Sequence, residues 1–174
     1  MTISKIQAGS INLSDDFAFT GTVTGAGKII QVKHASFGST ISTTSGTQAA
    51  TGIAMDFTPL FATSKLLVTF ILHGVYNSTA NSGWNLYVYR DGSGVTEGGL
   101  HTGSGHEGRF VYAVAHTTGG EILEVSCQVF LSANSTSQTN IALWGGLYNS
   151  GTNYINVNSG SGDVSFMTIM EVAQ

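Results

Sequence analysis

At 174 residues, with a 41% hydrophobic and 10% aromatic fraction, the chain has material for one buried core and is too apolar to stay disordered. Only 9% of it is charged, against about a quarter in ordinary soluble proteins, so Ser, Thr, Asn and Gln must supply the polar surface. A net charge of −4 with six Lys and Arg leaves no basic patch to neutralise phosphates, which argues against nucleic acid as a partner.

Residues 1–27 are dotted with isolated apolar side chains, Ile3, Ile6, Ile11, Leu13, Phe17 and Phe19, that cannot form a core of their own. They are expected to be an extended arm for attachment or oligomerisation, packed on this domain's sheet or on a neighbouring subunit, with residues 28–174 as the globular domain. The stretch MTISKIQAGS lacks the apolar segment of a signal peptide, and no run approaches the roughly 20 apolar residues of a membrane helix, so neither export by a leader nor membrane insertion is expected. Where the arm ends, GTVTGAGKII (Gly21 to Ile30) has the look of a phosphate-binding loop. That motif needs Gly, four residues, then Gly-Lys-Ser/Thr opening a helix. Here Thr22 stands in place of the first glycine, Ile29 in place of the hydroxyl, and KIIQVKHASF continues with the period of a strand. The glycines Gly25 and Gly27 read as a hinge.

Beyond the hinge the apolar residues recur every second position, between connectors rich in Gly, Asn and Ser. TGIAMDFTP is a candidate strand, and Pro59 in DFTPLFATSK marks a turn or one short helical turn. In KLLVTFILHGVY, Leu66, Val68, Phe70 and Leu72 share one face, while Leu67, Thr69, Ile71 and His73 share the other. Both faces are largely apolar, which predicts a strand covered on two sides. GWNLYVYRDG sets Trp84, Leu86 and Val88 against Asn85, Tyr87 and Tyr89, and Asp91-Gly92 signals a hairpin. GRFVYAVAHTT alternates too, and EILEVSCQVFLS puts Leu123, Val125, Cys127, Val129 and Leu131 on one side. NIALWGGLY, NYINVNS and GDVSFMTIMEV complete a set of about eight or nine strands. The pattern predicts an all-β, antiparallel two-sheet β-sandwich with jelly-roll-like connections.

Chemistry-bearing groups are sparse. GGLHTGSGHEGR gathers His101, His106 and Glu107, weak candidates for a metal ion, but neither an HExxH helix nor a cysteine pair accompanies them. A loop so rich in glycine is a poor scaffold for a ligand shell. His34, His73 and His116 fall within predicted strands and read as structural. No G-x-S-x-G elbow is present, and the carboxylates are scattered over turns and strand ends, so no enzyme activity and no cofactor are expected. The one cysteine, Cys127, excludes an intrachain disulfide and reads as a buried structural thiol. The aromatics leave a binding alternative open. Trp84, Tyr87, Tyr148 and Tyr154 are candidate contacts for a host-surface glycan, on loops around Asn77–Gly83, Gly92–Gly108 and Tyr148–Asn153, as in a lectin-like module.

Four stretches taken in order, DDFAFTGTVTGAGKIIQV, DFTPLFATSKLLVTF, LYVYRDGS and SFMTIMEVAQ, resemble a group of virion structural proteins of tailed phages, many of them marine. The shared features are a Gly-[K/R]-[VI]-[LIV]-Q-[VI] opening strand (Gly27 to Val32), a Thr-Pro then Ser-Lys-[IL]-Leu-Val segment (Thr58, Pro59, Ser64 to Val68), a Tyr-Arg-Asp hairpin (Tyr89 to Asp91) and a closing T-x-M-E-[VI]-A (Thr168 to Ala173). The resemblance spans nearly the whole chain and implies a tail-fibre-like or receptor-facing virion surface protein, made in the host cytoplasm and assembled with itself as a homotrimer and with other capsid or tail proteins. It implies no catalytic residue. The chain departs from longer fibre members in having no long N-terminal shaft, which keeps open the alternative of a decoration (cement) protein on the capsid head.

Overall fold

The computed structural model describes residues 28–111, 122–158, 160 and 162–174. The expected arm with Ile3, Ile6, Ile11, Leu13, Phe17 and Phe19, the Gly25–Gly27 hinge, Tyr112 and His116 all lie outside the described residues. The strands are β1 (Ile29–Phe37), β2 (Ile41–Thr43), β3 (Ala49–Phe57), β4 (Lys65–Asn77), β5 (Gly83–Arg90), β6 (Ser93–Gly94), β7 (Arg109–Val111), β8 (Ile122–Ser132), β9 (Thr139–Tyr148), β10 (Asn153–Ile155) and β11 (Ser165–Val172). The short β2 and β6 are ladders too brief for alternation to reveal, whereas β10 falls within the expected strand NYINVNS. Pro59 stands in the connector between β3 and β4, just before the turn that Ser64 N closes on Phe61 O (3.2 Å).

All pairings are antiparallel. One sheet runs β1-β11-β4-β8, and the far end of β4 pairs instead with β10, which carries β2. The other runs β3-β9-β5, with β6 and β7 on the remaining edge of β5. Strands next in sequence therefore cross from sheet to sheet (β3 to β4, β4 to β5, β7 to β8, β8 to β9), which is the jelly-roll order. The hairpin signal holds: Arg90 pairs with Ser93, and Asp91 and Gly92 take the positive φ angles of 49° and 79° that a two-residue primed turn needs.

The core is built by the inward phase of each strand. Leu66, Val68, Phe70 and Leu72 of β4 meet Trp84, Leu86 and Val88 of β5, Ile141 and Leu143 of β9, and Met167 and Ile169 of β11, all buried. Each such side chain contributes about 1.5–3 kcal/mol by leaving water. The Trp84 ring lies so close to β9 that a Cβ on Gly145 would stand 2.5 Å from it, which explains the glycine. At Gly74 (φ 58°) β4 bulges between Leu72 and Val75, at the point where its partner changes from β11 to β10.

A buried carboxylate ties the ends of these elements together. Glu171, on the inward phase of β11, is fully buried and forms no ion pair among the described residues. Its oxygens accept from Leu60 N (2.9 and 3.0 Å), Phe61 N (3.0 Å), Gln31 Nε2 (2.6 Å) and the Ser64 hydroxyl. Burial pushes the acid upward, but the hydrogen bonds from Leu60, Ser64, Phe61 and Gln31 outweigh it and hold the group below its ordinary 4.5. Such a group stabilises the fold above its unfolded value, and that stability is lost as pH falls through the depressed folded value.

Glu171→Ala is expected to lower the unfolding free energy by about 3 kcal/mol, because buried donors lose a charged acceptor. Calorimetry should show this as a Tm roughly 6–12 °C lower. Glu171→Gln should flatten the fall in stability below pH 4.5 that is expected of the parent protein. Equal acid limbs in the two proteins would contradict the role given to the carboxylate.

Candidate functional site

Sequence reasoning nominated a glycine-rich histidine loop and a set of aromatics, and the structure treats them differently. The loop is ordered by its own backbone. His106 N donates to Gly103 O (2.9 Å), Gly108 N to His101 O (2.9 Å) and His101 N to Arg109 O (3.0 Å). Gln48 Nε2 fastens it to the second sheet through Gly105 O (2.8 Å). The His101 and His106 rings meet edge to face, 6.0 Å between centroids, and His101 Nδ1 already accepts from Gly103 N (3.0 Å). Among the described residues no group of three or more His, Cys, Asp or Glu is disposed to hold a metal ion, so Glu107 does not complete a site with the two imidazoles.

Two of the glycan candidates are corrected. Trp84 is 1% exposed and its indole N–H donates to Tyr154 O (3.0 Å), so it presents no ring face to a sugar. Tyr87 is 2% exposed despite its outward phase, flanked in register by Trp144 and Arg109 and edge-on to Tyr89. Tyr148 and Tyr154 are half-buried, and Tyr154 leans on Tyr76 at 5.6 Å. Among the described residues the closest aromatic stack is Tyr89 on Trp144, 4.2 Å apart and 5° from parallel, with the Tyr89 hydroxyl donating to Gln48 Oε1 (2.7 Å). That stack fastens strands to one another.

Near the β5–β6 hairpin a concavity of about 400 Å³ is lined by Arg90, Ser93, Thr96, Glu97 and Asn134, among others. Arg90 Nη1 stands 3.6 Å from Glu97 Oε1, and Glu97 Oε2 accepts from Ser132 N (3.0 Å). The two charges face each other across the hollow and leave no net charge to select a ligand.

The feature that stands out is a sheet face. On the outer side of β1-β11-β4-β8 the registers align side chains into rows. Val32, Met170, Leu67 and Phe130 form one row; His34, Thr168, Thr69 and Gln128 the next; Ser36, Phe166, Ile71 and Ser126 a third. Val32 is 56% exposed, Phe130 52% and Ile71 40%. Phe166 anchors the middle, stacked on His34 (5.5 Å) and edge-on to His73 (5.9 Å). An antiparallel sheet facing water normally alternates apolar-in with polar-out. This one adds to its apolar inner side an outer side with one wholly apolar row, one polar row and one mixed row, and nothing among the described residues covers them.

No protein-family model matches the chain, and no curated protein matches it. Among solved structures it is similar to the crystal structure of the infectious bursal disease virus VP2 subviral particle, at 13% identity and a TM-score of 0.41. The match covers 83% of this chain and 40% of that one, so the chain spans less than half the length of that protein. A likeness at this level assigns no function.

Cys127 faces inward on β8, paired with Phe70 of β4, and burial pushes its thiol up to about 11. Alkylation of the native protein by iodoacetamide at pH 8 is expected to be about a hundredfold slower than in denaturant, since the nucleophile is the thiolate. Equal rates in the two states would contradict the inward placement.

Proposed function

We propose that the chain is a non-enzymatic structural protein of a virion surface, assembled as a symmetric homo-oligomer. The single observation that carries this reading is the outer face of the β1-β11-β4-β8 sheet, where half-exposed apolar side chains (Val32, Phe130 and Ile71 among them) lie among uncharged polar ones on a rigid sandwich. Surfaces of that kind on an otherwise polar protein mark association sites. Closed cyclic symmetry is the usual way for identical subunits to bury one.

The resemblance read from the sequence supports the finer form of the proposal. Within a tailed phage the chain would be tail-fibre-like or receptor-facing, most simply a homotrimer, with residues 1–27 attaching it to capsid or tail. The shared stretches support a building role in a further way: one carries Glu171, two supply its partners, and the fourth is a hairpin in which Asp91 accepts from Thr139 Oγ1 (2.8 Å) and Asn140 N (2.7 Å). They are joints of a scaffold.

Imaging of intact particles is the decisive experiment. A few copies at the tail in symmetric groups are expected; many copies spread over the head would support a decoration protein, and absence from particles would overturn the proposal. Removing residues 1–27 is expected to leave a folded sandwich by circular dichroism that no longer joins particles. Normal incorporation of the truncated chain would contradict the attachment role.

A further inference from the structure

We infer that the outer face of the β8-β4-β11-β1 sheet is the surface through which one copy of this chain packs on a second copy; the inference rests on the oligomeric reading above and assigns it a place. The three central rows contain no Asp, Glu, Lys or Arg. The fixed charges sit at the rim and are occupied: Lys65 Nζ donates to Ser132 Oγ (2.7 Å), and Glu124 Oε1 pairs with His73 Nδ1 (2.8 Å). Depletion of charge at the centre with polar groups around it is the anatomy of a protein–protein interface.

The area is sufficient. Four strands spaced by about 4.8 Å, over nine residues rising about 3.4 Å each, make a face of roughly 500–600 Å². With the rim rows of Lys65 and His73 included, two copies together would bury about 1,100 Å², just above the roughly 1,000 Å² that a specific interface needs. The strands are hydrogen-bonded into a sheet, so little ordering entropy is lost when the face is covered.

The chemistry of the face selects a second copy over an unrelated partner. With no fixed charge in its central rows, it cannot choose a partner by electrostatic complementarity. For the same reason two identical faces meet without like-charge repulsion, even though each chain carries a net charge of −4. Apolar and hydroxyl-bearing rows recur every two residues, about 7 Å, so two such faces can interdigitate at the ~10 Å spacing of packed sheets.

The test uses the full chain. Sedimentation velocity of the parent protein is expected to show a discrete oligomer, and Val32→Glu with Phe130→Glu to weaken association about 100-fold or more. Ala50→Glu, on the outer face of the other sheet, should behave like the parent. Because charged substitutions can fail to fold, a photo-crosslinking amino acid in place of Phe130 reads the contact independently. Crosslinks joining two chains, mapped to β1 or β11, are expected. A parent oligomer that survives the double substitution and gives no such crosslink would overturn this inference while leaving the oligomeric reading standing. A parent protein that is monomeric at all concentrations would overturn both, and a crosslink confined to residues 1–27 of the same chain would show the arm, and no second copy, as the occupant.

Discussion

An ionised carboxylate taken out of water loses several kcal/mol of hydration unless something replaces it. At Glu171 the replacement is made by donors from separate parts of the chain: Gln31 of the opening strand, the backbone of Leu60 and Phe61 in the turn between β3 and β4, and Ser64 at the foot of β4. These donors join the edge of one sheet, its centre, and the crossover that brings the chain from the other sheet. The jelly-roll order depends on that crossover being held in place. Because the partners are neutral, the joint needs no salt bridge, which suits a chain of such low charge and makes it insensitive to ionic strength.

The opposite end of the sandwich is closed by the same device without a charge. Asn77 Nδ2 donates to Asn153 Oδ1 (2.6 Å), while Asn153 Nδ2 reaches Gly83 O (2.8 Å). Asn156 Nδ2 bonds Phe37 O (2.7 Å) and Ser39 O (3.0 Å), and its Oδ1 accepts from Ser165 Oγ (2.7 Å). These asparagines are fully buried, so each bond matters more than one made in water. With both ends fixed by polar joints and the interior filled by the inward phases, the outer face of the first sheet is left rigid, partly apolar and free of fixed charge at its centre. That combination links the fold to the proposed building role.

Period-two alternation made much of this readable in advance. It placed Leu66, Val68, Phe70 and Leu72 in the core and showed β4 to be apolar on both sides. The same rule placed Trp84 with Leu86 and Val88, so its reading as a sugar contact went against the alternation, and the structure sides with the alternation. Tyr87 is another matter. Its phase is outward, and only tertiary neighbours, brought by pairing with β7 and β9, bury it. Glu171 shares the phase of Met167 and Ile169, yet a lone Glu near a strand end reads as solvated, because its donors lie 107 to 140 residues away in sequence. The order within residues 101–108 comes from backbone hydrogen bonds that His101 and His106 make with Gly103, Gly108 and Arg109, which leave no periodic trace. The short ladder of β2 escapes for a similar reason.

Hydrogen exchange at the amides of Leu60 and Phe61 tests the organising role of Glu171 most directly. Both residues have more than half of their side-chain-bearing surface in solvent, at 55% and 56% exposure, so a surface turn would ordinarily exchange within seconds to minutes. The account predicts protection matching the central amides of β4, with exchange only through global unfolding. Rapid exchange at both amides, while β4 stays protected, would contradict it.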